Sequence, residues 1–203
     1  TQKQIHGNLQ CCVSMEKTIL AGDLEMCRGL NGMWQVAGSQ GQIDSKTAIS
    51  DMENYQKSGF TTWDLADIYG PAESLIGEFR RKLGNKSKFQ ALTKFVPNPG
   101  PMSNSIVIHY IEQSLQKMDT DCIDLLQFHW WDYNDASYLD ALNHLSKLQD
   151  EQKIKHLGLT NFDTQRVKIM IENGFEIVSN QVQYSILDQR PEKLMTSFFA
   201  RHG

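Results

Sequence analysis

An aspartate at position 64 is followed by a tyrosine five residues on, Tyr69, and then by Gly70 and Pro71, in the segment TTWDLADIYGPAESLIG. Lys94 ends FQALTK, His129 ends IDLLQFH, Asn161 stands late in IKHLGLTNF and Gln181 lies late in EIVSNQVQY. Taken one at a time these are ordinary residues: a turn former, a solvated amine, a hydrogen-bonded core imidazole. Taken together, at the ends of short apolar runs, they share a chemistry. A free phenol has a pKa of about 10, too high for an efficient acid near neutrality. A neighbouring ammonium stabilises the phenolate and lowers that value, and a carboxylate holds the ammonium in place. An imidazole beside the reacting oxygen orients a carbonyl by hydrogen bonding. Tyr, Lys, Asp and His therefore make a proton donor to a carbonyl oxygen. The carbon then needs a hydride, which side chains do not supply, and a nicotinamide is the expected source.

The elements that must position these groups alternate. Met26 to Trp34 reads as a first strand and turn, and the apolar residues Ala48, Ile49, Met52 and Tyr55 recur at helical spacing between Ser45 and Lys57. Short strands follow at 59–64, 89–94, 123–129, 154–162 and 176–184, each leading into an amphipathic segment: 73–83, 103–118, 138–148, 163–173 and 191–201. Gly84 and Gly174 stop two of those helices and Asp163 caps one. Six strands, each followed by a helix, imply parallel pairing with helices outside. A Rossmann sheet would carry G-x-G-x-x-G after strand one, where this chain reads GLNGMWQVAG. A (β/α)8 TIM barrel instead expects reactive residues at successive strand C-termini, as found here. The reading is an α/β barrel of which the chain supplies about six βα units.

Composition excludes several classes. The 203 residues are 40% hydrophobic and 22% charged, with a formal net charge of −4 and a pI near 5.8. The longest basic run is Arg80-Arg81-Lys82, a poor footprint for nucleic acid, and no apolar stretch is long enough to span a membrane. Cys11, Cys12, Cys27 and Cys122 lack metal-ligand or disulfide-framework spacing, so reduced thiols in a cytoplasmic setting are expected and no metal is implied. Asn85-Lys86-Ser87 matches a glycosylation acceptor only by chance in that setting. Residues 1–22 are polar and read as a poorly ordered extension, with the barrel occupying 23–203.

Over residues 26–190 the chain resembles the aldo-keto reductase family. GFTTWDLADIYGPAESLIG resembles its first signature, ALTKF and LLQFHWWD the strands carrying its lysine and histidine, IKHLGLTNFD its second signature and NQVQYSILDQR the segment with its glutamine. The resemblance implies Tyr69 as general acid, Lys94 tuning it, Asp64 paired with Lys94, and His129 orienting the carbonyl. It implies Asn161 and Gln181 on the nicotinamide carboxamide, with Thr160 where the family usually has serine. Met33 and Trp34 would lie near the cofactor or pocket mouth, with Trp34 also touching substrate. Trp130 would wall the substrate site, with Trp131 packing behind it. The implied cofactor is NADPH and the implied reaction reduces aldehydes or ketones to alcohols.

The family barrel has eight strands, and this chain reads as six, so a longer parent protein is expected. The segments NGMWQVAG and QFHWWDY look closer to a plant and algal branch of the family that contains radial-spoke-like members. The alternative function is accordingly a slow or non-turnover nucleotide-binding scaffold or redox sensor, resembling potassium-channel β subunits or a flagellar radial-spoke component. It brings a protein assembly partner and a plastid or flagellar location. A phosphate-binding isomerase barrel would leave the Asp-Tyr-Lys-His set without a reason.

Overall fold

Parallel strands in a right-handed series need helical crossovers to return the chain, and this sequence supplies one after each strand from Thr62 onward. The structure, a computed structural model, describes residues 15–37, 44–84 and 88–202. Cys11, Cys12 and the Asn85-Lys86-Ser87 acceptor lie outside the described residues. The chain opens with an antiparallel hairpin, β1 (Lys17–Leu20) and β2 (Leu24–Cys27). The main sheet follows: β3 (Asn31–Gly32), β4 (Thr62–Asp64), β5 (Gln90–Phe95), β6 (Ile123–His129), β7 (Ile154–Thr160) and β8 (Ile177–Gln181). Its strands pair in sequence order and in parallel. Helices α1 (Ser45–Lys57), α2 (Ala72–Leu83), α3 (Asn104–Met118), α4 (Tyr138–Asp150) and α5 (Thr164–Glu172) make the crossovers, and α6 (Arg190–His202) follows β8.

Local chemistry sets the helix starts. Asp44, Ser103 and Asp163 cap α1, α3 and α5, their side-chain oxygens accepting from Thr47, Ile106 and Arg166 amides. Apolar residues at helical spacing turn inward, among them Val107, Ile111 and Met118 of α3 and Leu142, Leu145 and Leu148 of α4, all at most 2% exposed. Helices α2 and α3 touch at Gly77, where an added Cβ would stand 2.1 Å from the Lys117 carbonyl oxygen. The glycine is what lets the two backbones meet.

Two expectations are corrected at the N-terminus. Met26 to Trp34 is not one strand: Leu24–Cys27 belongs to the hairpin and the first sheet strand is only Asn31–Gly32. The extension set at 1–22 is structured from Lys17. The reason is a plug. Leu24, 4% exposed, packs on Leu92 and Leu125 from inside the barrel strands, and Asp23 lies 2.7 Å from His156 and 3.0 Å from Lys155. The hairpin thereby covers apolar side chains at the amino ends of the strands.

Residues two apart on a strand share a face. Leu92 and Lys94 of β5 face inward, as do Leu125, Gln127 and His129 of β6, while Phe95, Phe128 and Phe162 stack on the helix side. The apolar layer lies by the hairpin, and the polar layer lies at the carboxyl ends.

Candidate active site

The polar layer gathers Asp64, Lys94 and His129, at or beside strand ends, with Tyr69, from the loop after β4, at one rim. Lys94 Nζ donates to Asp64 Oδ1 at 2.6 Å and to the Leu65 carbonyl at 2.9 Å. An ammonium has three donors, so one N–H is left, and Nζ stands 5.5 Å from the centroid of the Tyr69 ring. Lys94 is 4% exposed, yet its charge has a carboxylate partner. Burial pulls the Lys94 ammonium below its ordinary pKa, and Asp64 opposes that.

Tyr69 hangs on the loop after β4. Leu65 N–H donates to the Leu92 carbonyl at 2.8 Å and Asp67 N–H to the Lys94 carbonyl at 3.0 Å, so the loop stays laced to β5. Gly70 adopts φ +52°, and a Cβ there would stand 3.3 Å from the Cα of Ala37. That close approach sets Trp34, in the 3-10 turn Trp34–Ala37, edge-on against Tyr69 at 5.0 Å between centroids. The phenol differs from the sequence expectation. Burial raises its pKa, with the charges of Asp64 and Asp67 adding to the rise. The Lys94 charge is already matched by Asp64, so the phenol stays protonated at neutral pH. His129 is lowered by burial and then by Lys94, which keeps the imidazole neutral there.

A cavity of 350 Å³ opens over these groups, lined by Tyr69, Lys94, His129, Thr160, Asn161 and Gln181 and flanked by Trp34. Thr160 pairs across to Gln181 in the sheet register, and Asn161 N–H donates to the Gln181 carbonyl at 2.9 Å. Asn161 sits at φ +62°, a conformation asparagine tolerates better than most residues. The Thr160 hydroxyl is buried with no hydrogen-bond partner. Gln181 Nε2 points to Asp64 Oδ2 at 3.4 Å, linking the amide side of the cavity to the charged pair.

Two assignments are corrected. Trp130, expected as a wall, is 1% exposed and packs on Phe128, its Nε1 donating to the Asp132 and Asp135 carbonyls. Trp131 lines the cavity instead, its ring 4.4 Å from that of His129. Met33, expected near the cofactor, turns into a separate 560 Å³ cavity against α1 that holds none of the four polar residues. Only its backbone serves the site, its N–H donating to the Asp64 carbonyl at 3.0 Å. Sequence reading missed Gln127. It is 3% exposed and its Nε2 donates to Asp64 Oδ1 at 3.1 Å. A polar residue two before His129, on the same face of the strand and after the apolar pair Leu125-Leu126, was the available signal.

The aldo/keto reductase family's sequence model matches residues 30–203. The chain belongs to the aldo/keto reductase family. It is 31% identical to 6-dehydroglucose reductase of Agrobacterium fabrum, over 85% of this chain and 63% of that protein. It is 24% identical to aldo-keto reductase YhdN of Bacillus subtilis, over 90% and 60%. The chain thus spans less than two thirds of the length of these relatives. Among solved structures, a thermostable aldo-keto reductase in complex with epalrestat superposes with a TM-score of 0.76 at 25% identity, over 88% of this chain and 66% of that one. Glycerol dehydrogenase of Gluconobacter oxydans superposes at 0.79 with 20% identity, over 92% and 60%. The aldo-keto reductase fold is the (β/α)8 barrel, and β3 to β8 with their helices are six of its units. Among the described residues no helix is long and apolar enough to cross a membrane, and no cluster of three His, Cys, Asp or Glu could hold a metal.

Proposed function

We propose that this chain carries the active site of an NADPH-dependent reductase of aldehydes and ketones, with Tyr69 as general acid. One observation carries the reading. A nearly buried ammonium, fixed by Asp64 and the Leu65 carbonyl, faces a protonated phenol in a cavity shared with a neutral imidazole. That arrangement is costly to bury and has no stabilising purpose that an apolar cluster would not serve better.

Tyr69 donates its proton to the carbonyl oxygen as negative charge develops there. Lys94 stabilises the phenolate left behind, and Asp64 keeps that ammonium charged and aimed. His129 donates a hydrogen bond to the same oxygen and fixes the carbonyl's orientation. The nicotinamide, when bound, supplies the hydride to the carbonyl carbon. Thr160, Asn161 and Gln181 hold its carboxamide, and the unpartnered Thr160 hydroxyl fits that role. Trp34 and Trp131, 55% and 57% exposed, flank the opening and suit carbonyl compounds of modest size.

The test is NADPH oxidation against a panel of aldehydes and ketones by the protein as its natural gene encodes it, with Tyr69→Phe alongside. Turnover in the parent and near silence in the variant are expected. NADPH binding without reduction of any carbonyl would contradict the reading.

A further inference from the structure

Asp64, Lys94 and His129 sit on strands, but Tyr69 sits on a loop, and something must hold that loop in register with β5. Main-chain bonds carry the ladder to Asp67, whose N–H reaches the Lys94 carbonyl. There the side chain takes over: the Val96 N–H donates to Asp67 Oδ2 at 3.1 Å. Asp67 is thus tied at both ends to the segment that bears Lys94, two residues from Tyr69. We propose that Asp67 is a positioning residue whose carboxylate, bound to the Val96 amide, holds the phenol of Tyr69 within reach of Lys94. The inference rests on the reading of Tyr69 as the acid.

Asp67 lies in a 210 Å³ recess that is separate from the substrate cavity, so it acts through Tyr69. Tyr110 and Lys117 of α3 line the recess, and among the described residues Glu73 of α2 and Tyr69 are the other titratable groups whose charges couple to Asp67. Glu73 is 1% exposed and bound by Thr93 Oγ1 at 2.8 Å and Lys117 Nζ at 3.4 Å, so Lys117 is already engaged. Among the described residues no lysine is within ion-pair distance of Asp67. Burial pushes its carboxyl up to about 6, the Val96 amide opposing and Glu73 adding. Above that pH its charge also raises the pKa of Tyr69, which keeps the acid loaded.

The test uses the natural protein with Asp67→Leu and Asp67→Asn. Asp67→Leu removes the acceptor, and kcat should fall at least about tenfold with the NADPH Kd unchanged. Asp67→Asn keeps an acceptor for Val96 and should recover most of that rate. Without the charge, its alkaline limb of kcat, set by Tyr69, should move to lower pH. A lowered Tm with unchanged kcat in Asp67→Leu would overturn the inference, because a merely structural residue would behave so. If Asp67→Leu does not fold, the Asp67→Asn profile decides, and an unmoved alkaline limb overturns it. Full activity in Tyr69→Phe would instead remove the reading of Tyr69, and this inference with it.

Discussion

Strands β5, β6 and β7 are covered on both faces, and most of their residues are buried. The flanking strands differ. β8 is half-buried throughout, and β3 offers only two residues to pairing. The site is divided along the same line. Lys94 and Gln127, two of the three side chains that hold Asp64, hang from the covered strands, and the third, Gln181, hangs from β8. Asn161, Gln181 and Trp34 stand at the less covered rims. The Asp64–Lys94 pair is therefore held mainly by the core, whereas Gln181 and Trp34 ride on the part of the barrel with the least packing behind it, and Thr160, 6% exposed at the end of β7, sits with the core.

Breaking the covered half at its charge pair should give the largest effect. Lys94→Met should lower kcat by roughly 10²- to 10⁴-fold. It also strands a mostly buried Asp64 and should cost about 3 kcal/mol of stability, read by steady-state kinetics and by urea unfolding. The contrast between strands is sharpened by two truncations. Leu126→Ala, at a residue 0% exposed in β6, should cost about 2–5 kcal/mol. Val178→Ala in half-buried β8 should cost about 1 kcal/mol or less. Similar losses in both would erase the comparison.

A smaller effect concerns pH. The Asp67 carboxyl titrates at about 6 in the fold, against about 3.9 in an unfolded chain. The folded state therefore holds the proton more tightly, and this group's contribution is present below about pH 4 and lost as pH rises through 6. Asp67→Asn should raise stability by about 2 kcal/mol at pH 8 and by little at pH 4, measured by unfolding at both values.

Much of this was legible in the chain. The five βα units from Thr62 onward and their order follow from apolar periodicity and from caps such as Asp163 and stops such as Gly84, whereas the first strand was placed too early. The four polar residues at strand ends follow from the same pattern. Two of the misses, Trp131 and Gln127, follow from the alternation along β6 and its continuation. His129 and Trp131 lie on one face of their segment and Phe128 and Trp130 on the other, so alternation assigns the cavity wall to Trp131. The same count puts Gln127 beside His129. Other features were not local. That residues 17–27 form a plug depends on Leu92 and Leu125, far along the chain. That burial raises the Tyr69 phenol depends on how deeply the loop folds against Ala37.

The most direct test of the central claim is single-turnover oxidation of bound NADPH by an accepted aldehyde, comparing the parent with Tyr69→Phe across pH 6 to 9. The account predicts a fast phase in the parent that keeps its rate across this range, because burial holds the phenol's pKa above its ordinary value of about 10 and the acid stays protonated. It predicts loss of that phase in Tyr69→Phe with NADPH affinity retained. A fast phase of equal rate in Tyr69→Phe would contradict it.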